Sequence, residues 1–179
     1  MNSAKTFAPG PIADVAYLSS DQRWILIFVR HLRHPPEKVW AVLTDPDQLR
    51  AWAPFDASRD LSTPGDATLS MVNADGSRAD DAQATVIRAD RPTLLEYTWG
   101  DDVLRWELVG TDAGTRLTLR HTLVEHELLS KVAAGWHICL VVADRFMDGE
   151  PIGRIVADNA MNFGWQELEQ AYAERLRDA

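Results

Sequence analysis

The stretch HPPEKVWAVLTDPDQLRAW, residues 34–52, decides how this chain of 179 residues folds. Pro36 suits the first turn of a helix, because the N–H that proline lacks would be unpaired there in any case. Val39, Trp40 and Leu43 then form the apolar side of a short helix, and a second short helix follows within the same stretch. Two small helices at this position separate an N-terminal strand from the segments that follow.

Strands are predicted on both sides of these helices. Residues 23–33, RWILIFVRHLR, are rich in β-branched and aromatic side chains, as in a buried strand. Six further strands are predicted downstream, and their separators are rich in Gly, Pro, Asp and Asn, as in tight connections between antiparallel neighbours. The last three alternate apolar and polar residues, which predicts a sheet with one dry and one wet face. The six cover residues 58–61, 67–72, 82–88, 93–99, 102–109 and 116–123.

A long helix is predicted after the last strand. Between residues 127 and 147 apolar side chains recur with the helical period, and Trp136 lies within their stripe. We expect this helix to cover the dry face of the sheet. The predicted fold is therefore α+β, the helix-grip arrangement of a curved antiparallel sheet of about seven strands around a long C-terminal helix, plus a terminal helix. Its parts are an extended arm over 1–20, the domain over 21–148 and a helical extension over 149–179 packed on the same domain.

Composition narrows the class of protein. Hydrophobic residues make up 46% and charged residues 25% of the chain, as in a globular domain. The formal net charge is -9 and no basic cluster interrupts it, so a nucleic-acid partner is not expected. The single Cys139 forms no intrachain disulfide, and no apolar run is long enough for a membrane span or a secretion signal. We therefore expect a cytoplasmic protein.

The helix-grip pattern consists of a strand, two short helices, six strands and a long helix. Several segments match it in this order: residues 34–52, TPGDATLSM at 63–71, ADRPTLLEYTW at 89–99, LRWELVGTDAGTRLTLRHT at 104–122 and AGW at 134–136. On these segments the chain resembles the START-like (SRPBCC) superfamily, in the branch of the heat-shock-protein ATPase activators (AHSA-like). The resemblance implies a hollow grip that binds a hydrophobic molecule, with some relatives acting as cyclases, hydrolases or co-chaperone modules. It supplies no shared catalytic set, and relatives often end soon after the long helix, unlike this chain.

The predicted ligand site is an apolar cavity between the sheet and the long helix. Tyr97 and His121 would supply its polar points, and several of the aromatic rings would also fill core volume. If the sheet faced the other way, Arg105 and Arg120 would point into the cavity and could bind a carboxylate. The predicted lining residues are Trp40, Trp52, Phe55, Leu69, Met71, Tyr97, Trp99, Trp106, Leu119, His121, Trp136 and Leu140.

His121 is the one candidate catalytic residue, as a general acid or base. The alternative is a core histidine whose hydrogen bonds are satisfied. His137 lies on the flank of the helix stripe, which favours a surface or helix–helix position over the alternative, a place at the mouth of the pocket. No histidine has metal-like spacing, so neither a bound metal nor a cofactor is expected. Cys139 has no basic neighbour and is expected to act as a small hydrophobe, while Asp101 and Asp102 are expected to be solvated in a turn.

Three functions stay open on the sequence. The leading hypothesis is a protein that binds an apolar or aromatic small molecule. An enzyme of the cyclase or hydrolase type would instead use His121, with Tyr97, to move protons. A protein-interaction module would need an exposed patch, for which the Ile138, Val141 and Val142 side of the long helix is the candidate. The tail is the candidate to cover that side within the chain, since Trp165, Leu168, Tyr172 and Leu176 form a second amphipathic stripe, and a homodimer interface would serve equally well.

Overall fold

The computed structural model describes residues 7–179 and shows an α+β fold built on one sheet. In chain order the elements are β1 (Asp14–Ser20), β2 (Arg23–Leu32), α1 (Pro36–Thr44), α2 (Pro46–Leu49), β3 (Phe55–Ala57), β4 (Gly65–Val72), β5 (Arg78–Asp90), β6 (Leu94–Trp99), β7 (Asp102–Thr111), β8 (Gly114–Leu123), α3 (Leu128–Met147), a 3₁₀ segment (Ala157–Phe163) and α4 (Trp165–Arg177). The strands pair in the order β1-β2-β8-β7-β6-β5-β4-β3, and every pair is antiparallel. The predicted helix-grip architecture is confirmed, with eight strands in place of about seven.

The additional strand, β1, lies in the segment that the sequence predicted as an extended arm. It pairs with β2 along its whole length. The ring of Tyr17 packs edge-on against Trp24 and His126, with centroids 5.7 and 5.3 Å away. Alternation in DVAYLSS turns Val15 and Tyr17 towards the protein, although two such residues give only a weak signal in sequence. Residues 1–6 of the predicted arm lie outside the described residues.

The strand predicted over 58–61 is wrong, because β3 ends at Ala57. The guanidinium of Arg59 donates hydrogen bonds to two backbone carbonyls at the start of β4, each 2.8 Å long. These bonds close a loop where the sequence predicted an extended segment. Leu61 is fully buried in that loop. Its apolar side chain therefore produced a strand-like signal without a strand.

Three tryptophans fill the space between α3 and the dry face of the sheet. Trp52, Trp106 and Trp136 pack with ring centroids 5.3 to 6.4 Å apart, and Trp106 stands perpendicular to the other two. Burial of each such ring contributes a few kcal/mol to stability. The indole N–H of Trp52 also donates to the carbonyl of Val42 at 3.0 Å, which ties the helical stretch after β2 to the core.

The side of α3 that carries Ile138, Val141 and Val142, the candidate interaction patch, is buried. α4 packs along α3, and residues 8–14 line one groove together with Val141. The segments before β1 and after the 3₁₀ segment therefore cover the face that a partner or a second copy would need. This face is apolar because other segments of the same chain pack against it.

His137 joins both covering segments to α3, which is the helix–helix alternative predicted for it. The backbone N–H of Ala13 donates to the Tyr172 hydroxyl at 2.9 Å, so that hydroxyl is free to donate its own proton to His137 Nδ1, 2.6 Å away. The opposite nitrogen, Nε2, donates to the carbonyl of Pro9 at 2.6 Å. This arrangement requires a neutral imidazole. Burial lowers the pKa of His137 to about 4, against the rise that the Pro9 bond would cause.

The neutral His137 predicts a loss of stability in mild acid. Between the ordinary histidine pKa of 6.5 and the folded value of about 4, the unfolded chain binds a proton that the folded chain excludes. The contribution of His137 to the free energy of unfolding is therefore fully present above pH 6.5. The free energy of unfolding falls by about 3 kcal/mol as the pH drops to 4. Urea unfolding at pH 7 and pH 4.5 should show a larger loss for the native protein than for His137→Gln, which does not titrate. Equal losses in the two proteins would contradict the assignment.

Candidate functional site

A cavity of about 390 Å³ lies between α3 and the chain that follows it, next to the end of the sheet where β6 and β8 meet the helix. Its walls are mostly apolar and come from three parts of the chain. The sheet and the loop before β3 contribute Trp99, His121 and Pro54; α3 contributes Val132, Gly135, Trp136, Ile138 and Cys139; the tail contributes Ile155, Val156, Ala157, Asp158, Ala160, Met161 and Trp165.

Gly135 is the residue of α3 that opens the space. A methyl group placed on its Cα would meet no other atom within 4 Å, so a side chain there would project into the void. Three indole rings also line the cavity, those of Trp99, Trp136 and Trp165. The rings of Trp99 and Trp136 lie 6.2 Å apart at their centroids. A glycine flanked by large rings is a wall that suits a flat ligand.

The tail is held over the cavity by Arg154. Its guanidinium lies 2.9 Å from the Asp56 carboxylate and donates to the carbonyl of Ala53 at 3.3 Å. Both charged side chains are largely buried, with 17% and 14% of their surfaces exposed, so this ion pair is less screened by water than a surface pair. It fixes the position at which residues 155–165 cross the opening.

His121 lies in the cavity wall with both ring nitrogens occupied. The indole N–H of Trp136 donates to His121 Nδ1 at 2.9 Å, so the ring proton is on Nε2, which lies 2.8 Å from Oδ2 of Asp102. The chain Trp136–His121–Asp102 therefore links α3 to β8 and β7. It orients the Trp136 indole that forms the wall, and it leaves His121 no free nitrogen for a ligand.

Asp102 differs from the prediction. The sequence suggested a carboxylate solvated in a turn, whereas Asp102 is half-buried and bound to His121. The β7–β8 register pairs His121 with Leu104, so the side chain of Asp102 reaches the histidine from two residues along β7. Nothing in the local sequence signals this contact, because it depends on how two strands align.

Tyr97 is a core residue and lies outside the cavity walls. It is fully buried, and its hydroxyl accepts a hydrogen bond from the indole N–H of Trp106 at 3.2 Å. Burial raises the pKa of Tyr97 well above its ordinary value, so the phenol stays protonated. Its role in this fold is to satisfy the buried indole of Trp106.

The twelve predicted lining residues divide into two groups. Trp99, His121 and Trp136 line the cavity. The other nine pack in the core or against it, because rings and aliphatic chains already occupy the space between sheet and α3. The predicted position of the cavity is thereby revised outwards, to the side of α3 that the tail covers. The nine core residues are Trp40, Trp52, Phe55, Leu69, Met71, Tyr97, Trp106, Leu119 and Leu140.

Cys139 and Arg105 are two other site candidates from the sequence. Cys139 lines the cavity, and burial raises the pKa of its thiol to about 12, so it contributes an uncharged sulfur. Arg105 lies on the wet face, where it pairs with Glu96 and Glu107 at 3.3 and 2.8 Å. The alternative in which Arg105 faces the cavity is wrong.

Among residues 7–179, no helix has the length and hydropathy needed to cross a bilayer.

The tail side of the cavity was missed by sequence reasoning. The sequence indicated an amphipathic tail, but only α4 carried a recognisable period. Residues 155–161 have no strong pattern, and their position over α3 depends on the buried Arg154–Asp56 pair. A single basic residue in a Gly- and Pro-containing linker gives no signal of its partner.

Comparisons with known proteins agree with this fold. A family model described as activator of Hsp90 ATPase homolog 1-like protein matches residues 33–147. No curated protein sequence gives a significant match. The matched stretch runs from the end of β2 to the end of α3, so it stops before the tail that covers the cavity.

Solved structures with the same fold include three of interest. CalU16 from Micromonospora echinospora is 18% identical, with a TM-score of 0.65 over 91% of this chain and 96% of its own. An AHSA1-like protein from Aeromonas hydrophila is 22% identical, with a TM-score of 0.60 over 70% of this chain and 92% of its own. DynU16, from the dynemicin biosynthetic locus, is 18% identical, with a TM-score of 0.63 over 74% of this chain and 51% of its own. At these identities the likeness shows the fold alone.

Proposed function

The chain belongs to the family of activator of Hsp90 ATPase homolog 1-like proteins, and from that premise we propose that it binds an uncharged, flat, apolar small molecule. The ligand would lie in the cavity between α3 and residues 155–165. The observation that carries the proposal is a cavity of about 390 Å³ walled by three indoles around a bare glycine. This volume falls within the range of pockets that hold small organic ligands.

The polar groups at the cavity disfavour an anionic ligand. Asp158 contributes a negative charge to the lining, and the whole chain carries a net charge of -9, so an anionic ligand would be repelled. His121 offers no free nitrogen, and Cys139 is an uncharged thiol. Affinity would therefore come from buried apolar area and from ring stacking on the indoles.

One feature of the structure counts against each of the two alternative functions. Acid–base chemistry at His121 would need a ring nitrogen that reaches the ligand, and both nitrogens are engaged by Trp136 and Asp102. A protein-interaction role for the outer side of α3 would need an exposed face, whereas that side is buried under the two chain ends.

A filled cavity tests the proposal directly. In Gly135→Phe the new ring should occupy the void, because a Cβ at this position meets nothing within 4 Å. We expect binding of N-phenyl-1-naphthylamine, an uncharged aromatic fluorophore, to weaken at least tenfold, as measured by its fluorescence enhancement. Gly135→Ala is the matched control. It also replaces glycine by a residue that favours the helix, by about 1 kcal/mol, but leaves most of the cavity open, so the affinity should change little.

The native ligand is sought in the same series by native mass spectrometry of protein purified from its own host. A bound small molecule that is present in the native protein and in Gly135→Ala, but absent from Gly135→Phe, would support the proposal. The proposal fails if the native protein holds neither the fluorophore nor any co-purified molecule. It also fails if Gly135→Phe retains the native affinity.

A further inference from the structure

A cluster of side chains of the metal-ligating type lies at the C-terminal end of α3. None of its members lines the ligand cavity. His34 follows the end of β2, Asp144 is in the last turn of α3 and Asp148 caps that helix. His34 Nε2 is 3.5 Å from Oδ1 of Asp144 and 3.0 Å from Oδ1 of Asp148. One ligating atom from each residue lies within 4.8 Å of the other two. The spacing of four between the aspartates places both carboxylates on one side of the helix end.

Two of these atoms are buried without a hydrogen-bond partner. They are Nε2 of His34, whose side chain is only 10% exposed, and Oδ1 of Asp144. The short contact of Nε2 with Asp148 does not have the geometry of a hydrogen bond. A buried polar atom left unpaired costs about 1–3 kcal/mol, so native structures rarely tolerate two of them side by side. The imidazole nitrogen lies within 3.5 Å of a carboxylate oxygen of each aspartate.

We propose that His34, Asp144 and Asp148 bind a divalent transition-metal ion, with Zn²⁺ as the best fit. In a tetrahedral zinc site with bonds near 2.0–2.1 Å, neighbouring ligand atoms lie about 3.3 Å apart. The distances of 3.5 and 3.0 Å from Nε2 to the two carboxylate oxygens bracket that value. One imidazole with two carboxylates favours zinc over Mg²⁺, which prefers oxygen ligands alone.

The surroundings hold the histidine in place without using its free nitrogen. The Thr115 hydroxyl donates to the backbone carbonyl of His34 at 2.7 Å. Gly114 approaches so closely that a Cβ there would lie 2.8 Å from the backbone nitrogen of His34. Backbone contacts of this kind fix a ligand before the metal arrives, so less ordering is needed on binding.

Cations of the chain compete for the same carboxylates. Arg33 lies 3.5 Å from Oδ2 of Asp148, but its side chain is 78% exposed and it leaves Oδ1 free. Arg30 interacts electrostatically with Asp144. A metal ion between Asp144 and Asp148 would place positive charge next to both carboxylates.

Isothermal titration of the metal-stripped, full-length protein with Zn²⁺ tests the site. We expect one equivalent to bind the native protein, and we expect at least a tenfold loss of affinity in His34→Gln and in Asp148→Asn. His31→Gln is the matched control, because His31 is an exposed histidine on the adjoining strand and lies outside the cluster. Thermal unfolding with and without Zn²⁺ gives a second readout, since a ligand that binds only the folded state raises Tm.

Selective loss in His34→Gln and Asp148→Asn, with His31→Gln unchanged and with no competition from excess Mg²⁺, supports the site. If His34→Gln fails to fold, Asp144→Asn takes its place in the same comparison. The absence of stoichiometric binding to the native protein overturns the proposal, and so does equal affinity in the variants. In either case His34 and the two aspartates form an ion-pair cluster only.

Discussion

Replacement of Trp106 by alanine is expected to lower the free energy of unfolding by about 4 kcal/mol, among the largest effects of any single truncation in this chain. Trp106 is fully buried at the centre of the tryptophan cluster, between Trp52 and Trp136. Loss of the indole removes its buried apolar area and leaves a cavity between α3 and the sheet. It also leaves the Tyr97 hydroxyl without the donor that now satisfies it.

Urea unfolding of Trp106→Ala measures this effect, and two further variants serve as comparisons. Val109→Ala truncates a side chain on the same strand that is 48% exposed, so it should change stability by no more than about 0.5 kcal/mol. Trp106→Phe keeps most of the ring volume and should lie between the two. If Trp106→Ala were as stable as Val109→Ala, the central position of this indole in the core would be wrong.

The same indole connects the core to the proposed ligand site. Trp106 and Trp136 pack perpendicular to each other with centroids 5.3 Å apart, and Trp136 also lines the cavity. The second support of Trp136 is its hydrogen bond to His121. Core packing and the Trp136–His121–Asp102 chain thus hold one wall of the cavity from two directions. Preorganisation of this kind spares a ligand the ordering of the wall.

The fold could be predicted from sequence where the patterns were periodic. Alternation in β6, β7 and β8 identified the dry face, and the helical period identified α3, because burial of one side imposes those periods directly. β1 was missed because only Val15 and Tyr17 in it face the protein and Ser, Pro and Gly surround them, whereas β3 was displaced because it has only three residues. Leu61 gave a misleading signal, since a buried loop residue has the same apolar character as a strand residue.

The site was predictable only in part. Trp99, His121 and Trp136 face the cavity because strand and helix parity were assigned correctly. The other walls belong to the tail, and their place is set by contacts between distant residues, such as the Arg154–Asp56 ion pair. The His34 cluster escaped detection for the same reason, because its three members come from opposite ends of the domain. Local spacing reports on local structure, whereas such sites arise from tertiary packing.

Gly114→Ala is expected to destabilise the protein by more than about 3 kcal/mol, or to prevent folding. Gly114 opens β8 with a φ of +143°, a conformation that a residue with a side chain rarely adopts. A Cβ at this position would lie 2.1 Å from the carbonyl oxygen of Leu32 and 2.9 Å from the carbonyl carbon of Arg33. Both obstacles are backbone atoms, so no side-chain rotation relieves the clash.

To accommodate the methyl group, the β7–β8 turn must move away from the end of β2, which breaks the pairing of Leu32 with Thr115. Gly76→Ala is the control that separates this clash from backbone strain. Gly76 has a φ of +83°, but a Cβ there meets nothing within 4 Å, so the cost should be about 1 kcal/mol. Urea unfolding and the yield of folded protein measure both variants. Equal stability of the two would show that the turn does not press against β2, and the placement of His34 that depends on this contact would fail with it.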